Sequence, residues 1–387
     1  MANTISSVGF ADTKRHYPIL DGLRGVAALL VVAFHLFEGH AASRFAQIIN
    51  HGYLAVDFFF VLSGFVIGYA YDDRWKRMST GDFFKRRLIR LHPMIVVAMV
   101  IGALMFYLQQ GTLFPKIADT PLWLMLLLMF IGITLMPVGP ALDVRGWGEM
   151  HPLNGPAWSL FYEYVANILY ALFVRKFSNL VLGLCVFGAG CALVYHCVSG
   201  PNGDVIGGWS ITPEQVRLGL TRLLYPFFAG LLLSRIVTVG RVRHAFLLCT
   251  VIITAALALP RIGGEQDLWM NGLYESLCII VVFPLVVYLG ASGEIGSGRS
   301  ARLCGFLGDI SYPLYIIHYP FVYTYMAWVV ENKVSIAQGW PVAIVTLALC
   351  VLLAWLCLKF YDIPVRAWLT ARFMNRSGAK FAPEPAR

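Results

Sequence analysis

Arg24 and His35 are the first residues in this chain whose types and spacing could do chemistry. They bracket ten residues that are otherwise apolar or glycine, in the stretch LDGLRGVAALLVVAFH. A charged side chain in a segment suited to lipid is costly, and marks a site by default. Eleven helical steps turn the chain through about 1100°, returning both side chains to within roughly 20° of one face and about 16 Å apart along the axis. A guanidinium clamps phosphate or carboxylate bidentately. An imidazole beside a carboxylate serves as a general base.

Other polar residues interrupt apolar runs in the same way. Asp57 lies in GYLAVDFFFVLSGFVIGYAY, about 6 Å below a helix start at Tyr53. That is the depth of His35, and a carboxylate beside an imidazole fixes its tautomer and raises its basicity. A structural Asp–Arg or Asp–Ser pair is the alternative. Ser63-Gly64 reads as a close-packing point between helices. Glu163 in GPAWSLFYEYVANILY falls roughly 9 Å below Ala157, in the same half of the membrane. Trp158 beside it is either an interfacial anchor or part of the site. Arg87 and Arg90 in FKRRLIRLHP are three apart and share a helix face. They suit phosphate, positive-inside anchoring or anionic headgroups, and Arg24 at the same level can join them. His318 in GDISYPLYIIHYPF sits about 12 Å beyond Ile310. Its alternative is an imidazole bonded to a nearby serine or backbone carbonyl.

The elements that must position these residues are membrane helices. The chain has 387 residues, 58% hydrophobic and 13% charged, with mean hydropathy +0.69. That charged fraction is about half the soluble average, and the apolar residues come in blocks of about 20, the length that spans a bilayer. The fold class is all-α and polytopic; short alternating segments of a β-barrel are absent from the pattern. The formal charge of +9 comes from basic residues between apolar blocks. This is a topology signal, and no nucleic-acid-binding face accompanies it. Eight cysteines show neither CxxC nor Cys/His metal spacing, so they read as free thiols and no metal is expected. The first apolar segment contains Arg24 and reads as a retained helix rather than a cleaved leader.

Ten spans are predicted, at roughly 19–37, 53–71, 91–109, 157–174, 180–198, 217–237, 244–260, 271–290, 310–330 and 341–361. An eleventh apolar stretch, 121–137, is short and bounded by Pro121 and Pro137. If it does not cross and the N-terminus is cytoplasmic, most of the 30 Lys and Arg fall inside. If it crosses, every later loop swaps sides. The positive-inside rule therefore favours ten crossings, both termini cytoplasmic, and 121–137 re-entrant or surface-lying. The expected organisation is a cytoplasmic segment 1–17, a transmembrane domain 18–365 and a basic tail 366–387. Loop 138–156, with Asp143, Arg145, Glu149 and His151, then lies outside. No internal repeat is detectable, and nothing in the sequence sets an oligomeric state.

Taken together, Arg24-x10-His35, VDFFFVLSGF around Asp57, the Arg87-x-x-Arg90 segment, PAWSLFYEY with Trp158 and Glu163, and ISYPLYIIHYP with His318 resemble the acyltransferase-3 family of integral membrane acyltransferases. The resemblance runs from about 18 to 365. His92-Pro93-Met94 departs from the family's usual proline-aromatic pair after RxxR. The resemblance implies a stand-alone enzyme of the bacterial cytoplasmic (inner) membrane. It would move an acyl group, most often acetyl, from acyl-CoA as co-substrate to a hydroxyl of a saccharide or envelope glycan. The donor's phosphates would meet Arg87 and Arg90, with Arg24, at the cytoplasmic side. His35, oriented by Asp57 or Glu163, would deprotonate the acceptor or carry the acyl group. Ser159, Tyr162 and Tyr319 are candidate oxyanion stabilisers. Two other readings stay open: a proton-coupled transporter or flippase, and acylation of a small lipophilic metabolite from the cytoplasmic side.

Overall fold

The computed structural model describes residues 14, 16–238, 240–295 and 298–374. Among them the chain is helical, with no strand. The α-helices in chain order are α1 (Pro18–Glu38), α2 (Ala55–Tyr71), α3 (Thr80–Met105), α4 (Leu122–Ile133), α5 (Ala157–Leu172), α6 (Asn179–Ser199) and α7 (Pro213–Ile236). The second half holds α8 (Ala245–Ala258), α9 (Leu268–Leu277), α10 (Phe283–Ser292), α11 (Arg299–Ile317), α12 (Tyr319–Glu331), α13 (Ile336–Cys357) and α14 (Ile363–Phe373).

Among the described residues eight helical segments are long and apolar enough to cross a membrane, against ten predicted. The two that fall short have local causes. α8 stops at Ala258 because Leu259 precedes Pro260 and turns extended, with ψ 140°. Its 14 residues rise about 21 Å, less than the ~30 Å hydrocarbon core. The predicted 310–330 span breaks at His318. Pro320 has no N–H for the Ile316 carbonyl and its ring crowds that oxygen; the side-chain amide of Asn154 donates to it instead, at 2.6 Å. α4 has 12 residues, a rise of about 18 Å, again shorter than the core.

Two segments widen into a π turn, Cys278–Val282 and Leu358–Asp362. Each comes just before an X-Pro pair, at Pro284 and Pro364. The wider turn absorbs the donor that proline lacks. The second keeps the chain helical to Phe373, so the tail boundary predicted at 366 falls inside α14. The remainder of that tail, 375–387, and most of the predicted N-terminal segment, 1–13 and 15, lie outside the described residues. α3 begins earlier than the predicted 91. Ser79 caps it by accepting from the Asp82 N–H at 3.0 Å, which puts Arg87 about 10 Å into the helix rather than at its start.

α1 packs against α2, α8, α10, α11, α12 and α13, which makes it the central element. It runs parallel to α11: Gly22 meets Cys304, Gly25 meets Leu307, and His35 meets His318. A Cβ on Gly25 would lie 2.3 Å from the Leu307 carbonyl oxygen, so only glycine allows this approach. α2 and α7 are parallel too. The predicted packing point at Gly64 is where a Cβ would come within 2.1 Å of the Phe227 carbonyl oxygen.

Candidate active site

The seam between α1 and α11 carries polar groups at both ends. At one end His35 Nδ1 is 2.8 Å from Oε2 of Glu38, three residues on and therefore on the same face. A carboxylate only accepts, so Nδ1 carries the proton and Nε2 keeps the lone pair. The break in α11–α12 places His318 opposite. Its Nδ1 lies 2.8 Å from the Tyr315 carbonyl and 3.2 Å from that of Leu314. The same logic protonates Nδ1 and leaves Nε2, which is buried with no partner among the described residues. The backbone-carbonyl bond foreseen for His318 is thus present, and it leaves the second nitrogen available. The two imidazoles stack, with centroids 5.8 Å apart and planes at 27°. Tyr319 stands edge-on to both, at 4.7 Å from His35 and 5.6 Å from His318. Ser159 reaches this centre through Tyr315: its hydroxyl is 2.7 Å from the Tyr315 hydroxyl and donates to the Pro156 carbonyl at 2.9 Å.

Asp57 is not the partner of His35. Its carboxylate takes both ends of the Arg222 guanidinium, at 2.6 and 3.3 Å, and both residues are buried. Arg222 also donates to the Tyr53 and Gly207 carbonyls at 2.8 and 3.1 Å. The cause is the parallel α2–α7 pairing, which sets Arg222 level with Asp57. Trp158 lies beneath this pair, its ring centroid 5.0 Å from the guanidinium carbon. Tyr162 packs edge-to-face on Trp158 and turns its hydroxyl toward Val216 of α7, at 3.5 Å.

Glu163 does not reach His35 either. Its Oε1 is 2.5 Å from Arg87 Nη2 and 3.4 Å from the Ser63 hydroxyl. The early start of α3 explains this, because it lifts Arg87 to the depth of Glu163. At the other end of the seam, Arg24 binds Asp21 at 2.7 Å and the Ser311 hydroxyl at 2.9 Å. Arg24, Arg87 and Arg90 are electrostatic neighbours with Asp21 among them; Arg90 is exposed. Asp362, at the end of the last π turn, pairs with Arg366 of α14 at 3.0 Å and faces Arg90 of the same cluster.

The structure therefore brings together His35, His318 and Tyr319 at one end, with Ser159 close by, and Arg24, Arg87, Arg90 and Glu163 at the other. Asp57, Trp158 and Tyr162 belong to a separate packed cluster on α7. Sequence reasoning missed Glu38, although its i+3 spacing from His35 was a usable signal. It also missed Arg222, for which no local signal exists.

Comparison with known proteins places this geometry in context. The family model for the acyltransferase domain matches residues 17–359. The chain is 24% identical over 386 residues to O-acetyltransferase OatA of Staphylococcus aureus (strain MRSA252), covering 96% of this chain and 61% of that protein. It is 36% identical over 160 residues to Protein 2 in picA locus of Rhizobium radiobacter, covering 40% of this chain and 80% of that protein. The chain thus spans about three-fifths of the length of the Staphylococcus relative. No solved structure matches.

Proposed function

The chain belongs to the acyltransferase-3 family, and from that membership we propose that it is a membrane O-acyltransferase using acetyl-CoA and a saccharide or envelope-glycan hydroxyl. The relatives' printed activity, O-acetyl transfer, supports the choice of acetyl. The observation that carries the reading is the Glu38–His35 pair on the same helix as Arg24. One end of α1 offers guanidinium groups and the other an imidazole with an unprotonated nitrogen. The separation of about 16 Å along the helix suits a donor with phosphates at one end of an extended arm and a thioester at the other.

In this reading the donor's phosphates bind Arg90 and Arg24, with Arg87 held in place by Glu163. The pantetheine arm follows the α1–α11 seam to His35. His35 Nε2 takes the proton from the acceptor hydroxyl as its oxygen attacks the thioester carbon. The carbon–sulfur bond then breaks, and the imidazolium returns that proton to the CoA thiolate. Glu38 stabilises the imidazolium between the two steps. Tyr319, rather than Tyr162 or the indirectly linked Ser159, is the candidate nearest the developing oxyanion. Asp57 supports the fold through Arg222 instead of acting on the reactants. The membrane is the bacterial cytoplasmic membrane, with both termini and the arginine end on the donor side.

The test is mass spectrometry of envelope glycans from cells with and without this gene. The expected result is loss of one acetyl mass from a defined glycan. Unchanged glycan acetylation, together with no acetyl-CoA binding by the purified protein, would refute the reading.

A further inference from the structure

The loop joining α4 to α5 is anchored in the protein by a buried charge pair. Arg145 is fully buried, and its guanidinium carbon lies 3.6 Å from the ring centroid of Tyr323 and 4.8 Å from that of Phe114. It donates to the Pro152 carbonyl at 2.9 Å and to the Gln109 side-chain oxygen at 2.8 Å. Glu149 Oε2 lies 3.8 Å from Arg145 Nε. The Tyr323 hydroxyl is 2.6 Å from each oxygen of Glu149.

This group touches the wall of the reaction centre. A Cβ on Gly155 would lie 2.6 Å from Glu149 Oε1, 2.9 Å from Tyr319 Cε1 and 2.9 Å from the Tyr323 hydroxyl. The three groups therefore meet around one glycine. Tyr323 stands edge-on to Tyr319 at 4.4 Å, and Tyr319 stands edge-on to His35 at 4.7 Å. A contiguous chain of contacts runs from the loop carboxyl to the imidazole.

We infer that Glu149 is a positioning residue for acyl transfer: by holding the Tyr323 hydroxyl it fixes Tyr319 against His35. The inference rests on the acyltransferase reading. The bland alternative is that Glu149 only neutralises Arg145. The two differ in what the Tyr323 hydroxyl is for. A counterion needs no tyrosine, whereas a positioning chain breaks without it.

The experiment uses the full chain in lipid nanodiscs, acetyl-CoA as donor, a chito-oligosaccharide as acceptor and free-thiol release as readout. Tyr323→Phe keeps the ring and the Arg145–Glu149 pair, and Glu149→Gln keeps the side chain's shape. Each is expected to lower kcat roughly ten- to hundredfold with KM for acetyl-CoA unchanged, as displacement of a reacting group does. The double variant is expected to be no worse than the more impaired single variant, because both break one chain. Wild-type kcat in Tyr323→Phe overturns the inference while leaving the acyltransferase reading intact. So does a parallel loss of kcat, KM and melting temperature in both variants. Absence of acetyl-CoA-dependent thiol release from the wild-type protein overturns the reading itself, and the inference with it.

Discussion

The two nitrogens of His35 are made different by Glu38. With Nδ1–H committed to the carboxylate at 2.8 Å, only Nε2 can take a proton, and the resulting imidazolium has an anion beside it. Glu38→Gln keeps the size of the side chain and removes that charge. The expected result is a kcat lower by about a hundredfold with KM for acetyl-CoA unchanged, read from steady-state thiol release. Asp57 shows the opposite case. Asp57→Asn leaves Arg222 charged, buried and uncompensated, which costs about 3–5 kcal/mol. The expected outcome is a large fall in melting temperature, with residual activity per folded molecule. His35 and Asp57 both stood out in the sequence as polar residues that lipid should have excluded. Their partners were unequally legible. Glu38 lies within one helical turn of His35, while Arg222 is 165 positions from Asp57. Only the α2–α7 packing joins that second pair.

At the scale of elements, the α1–α11 seam sets the register between donor end and reaction centre. Gly25 permits that seam, and Gly25→Val pushes a side chain into the Leu307 carbonyl. Overpacking of this kind costs about 1–3 kcal/mol or more. Expected are a lower melting temperature and loss of transfer, although neither Arg24 nor His35 is altered. The α4–α5 loop carries its own pH dependence. Burial raises the Glu149 carboxyl from 4.5 to about 7 and pushes the His151 imidazole from 6.5 down to about 4. Folding thus makes Glu149 bind its proton more tightly than the unfolded chain does, so its contribution is full below pH 4.5 and is lost as pH rises through about 7. His151 acts in reverse: its contribution is present above 6.5 and lost as pH falls through about 4. Each is worth about 3 kcal/mol, and in the wild type the two trends offset. Glu149→Gln removes one of them. Its stability relative to wild type should therefore rise by about that amount between pH 4.5 and pH 8, in melting curves taken in detergent. A pH-independent difference would count against the burial of Glu149.

For the whole molecule, the all-helical membrane architecture was legible because apolar block length is a direct consequence of bilayer thickness. Most helix starts fell within a few residues of the prediction. α3 and α11 begin eleven residues before the predicted 91 and 310, and the other departures arose where proline acts. Pro260 shortened α8 and Pro320 broke 310–330, while Pro284 and Pro364 were absorbed by π turns without ending their helices. The site was legible as a list of costly residues. It was not legible as pairs, because the early start of α3 and the parallel α2–α7 packing decide which charges meet. The account places donor phosphates and proton transfer at opposite ends of α1. The most direct test is one acetyl-CoA titration of the His35→Ala protein in nanodiscs, with transfer measured on the same sample. The account predicts acetyl-CoA affinity within about twofold of wild type and transfer at background, since only the base is removed. Wild-type transfer by His35→Ala would contradict it.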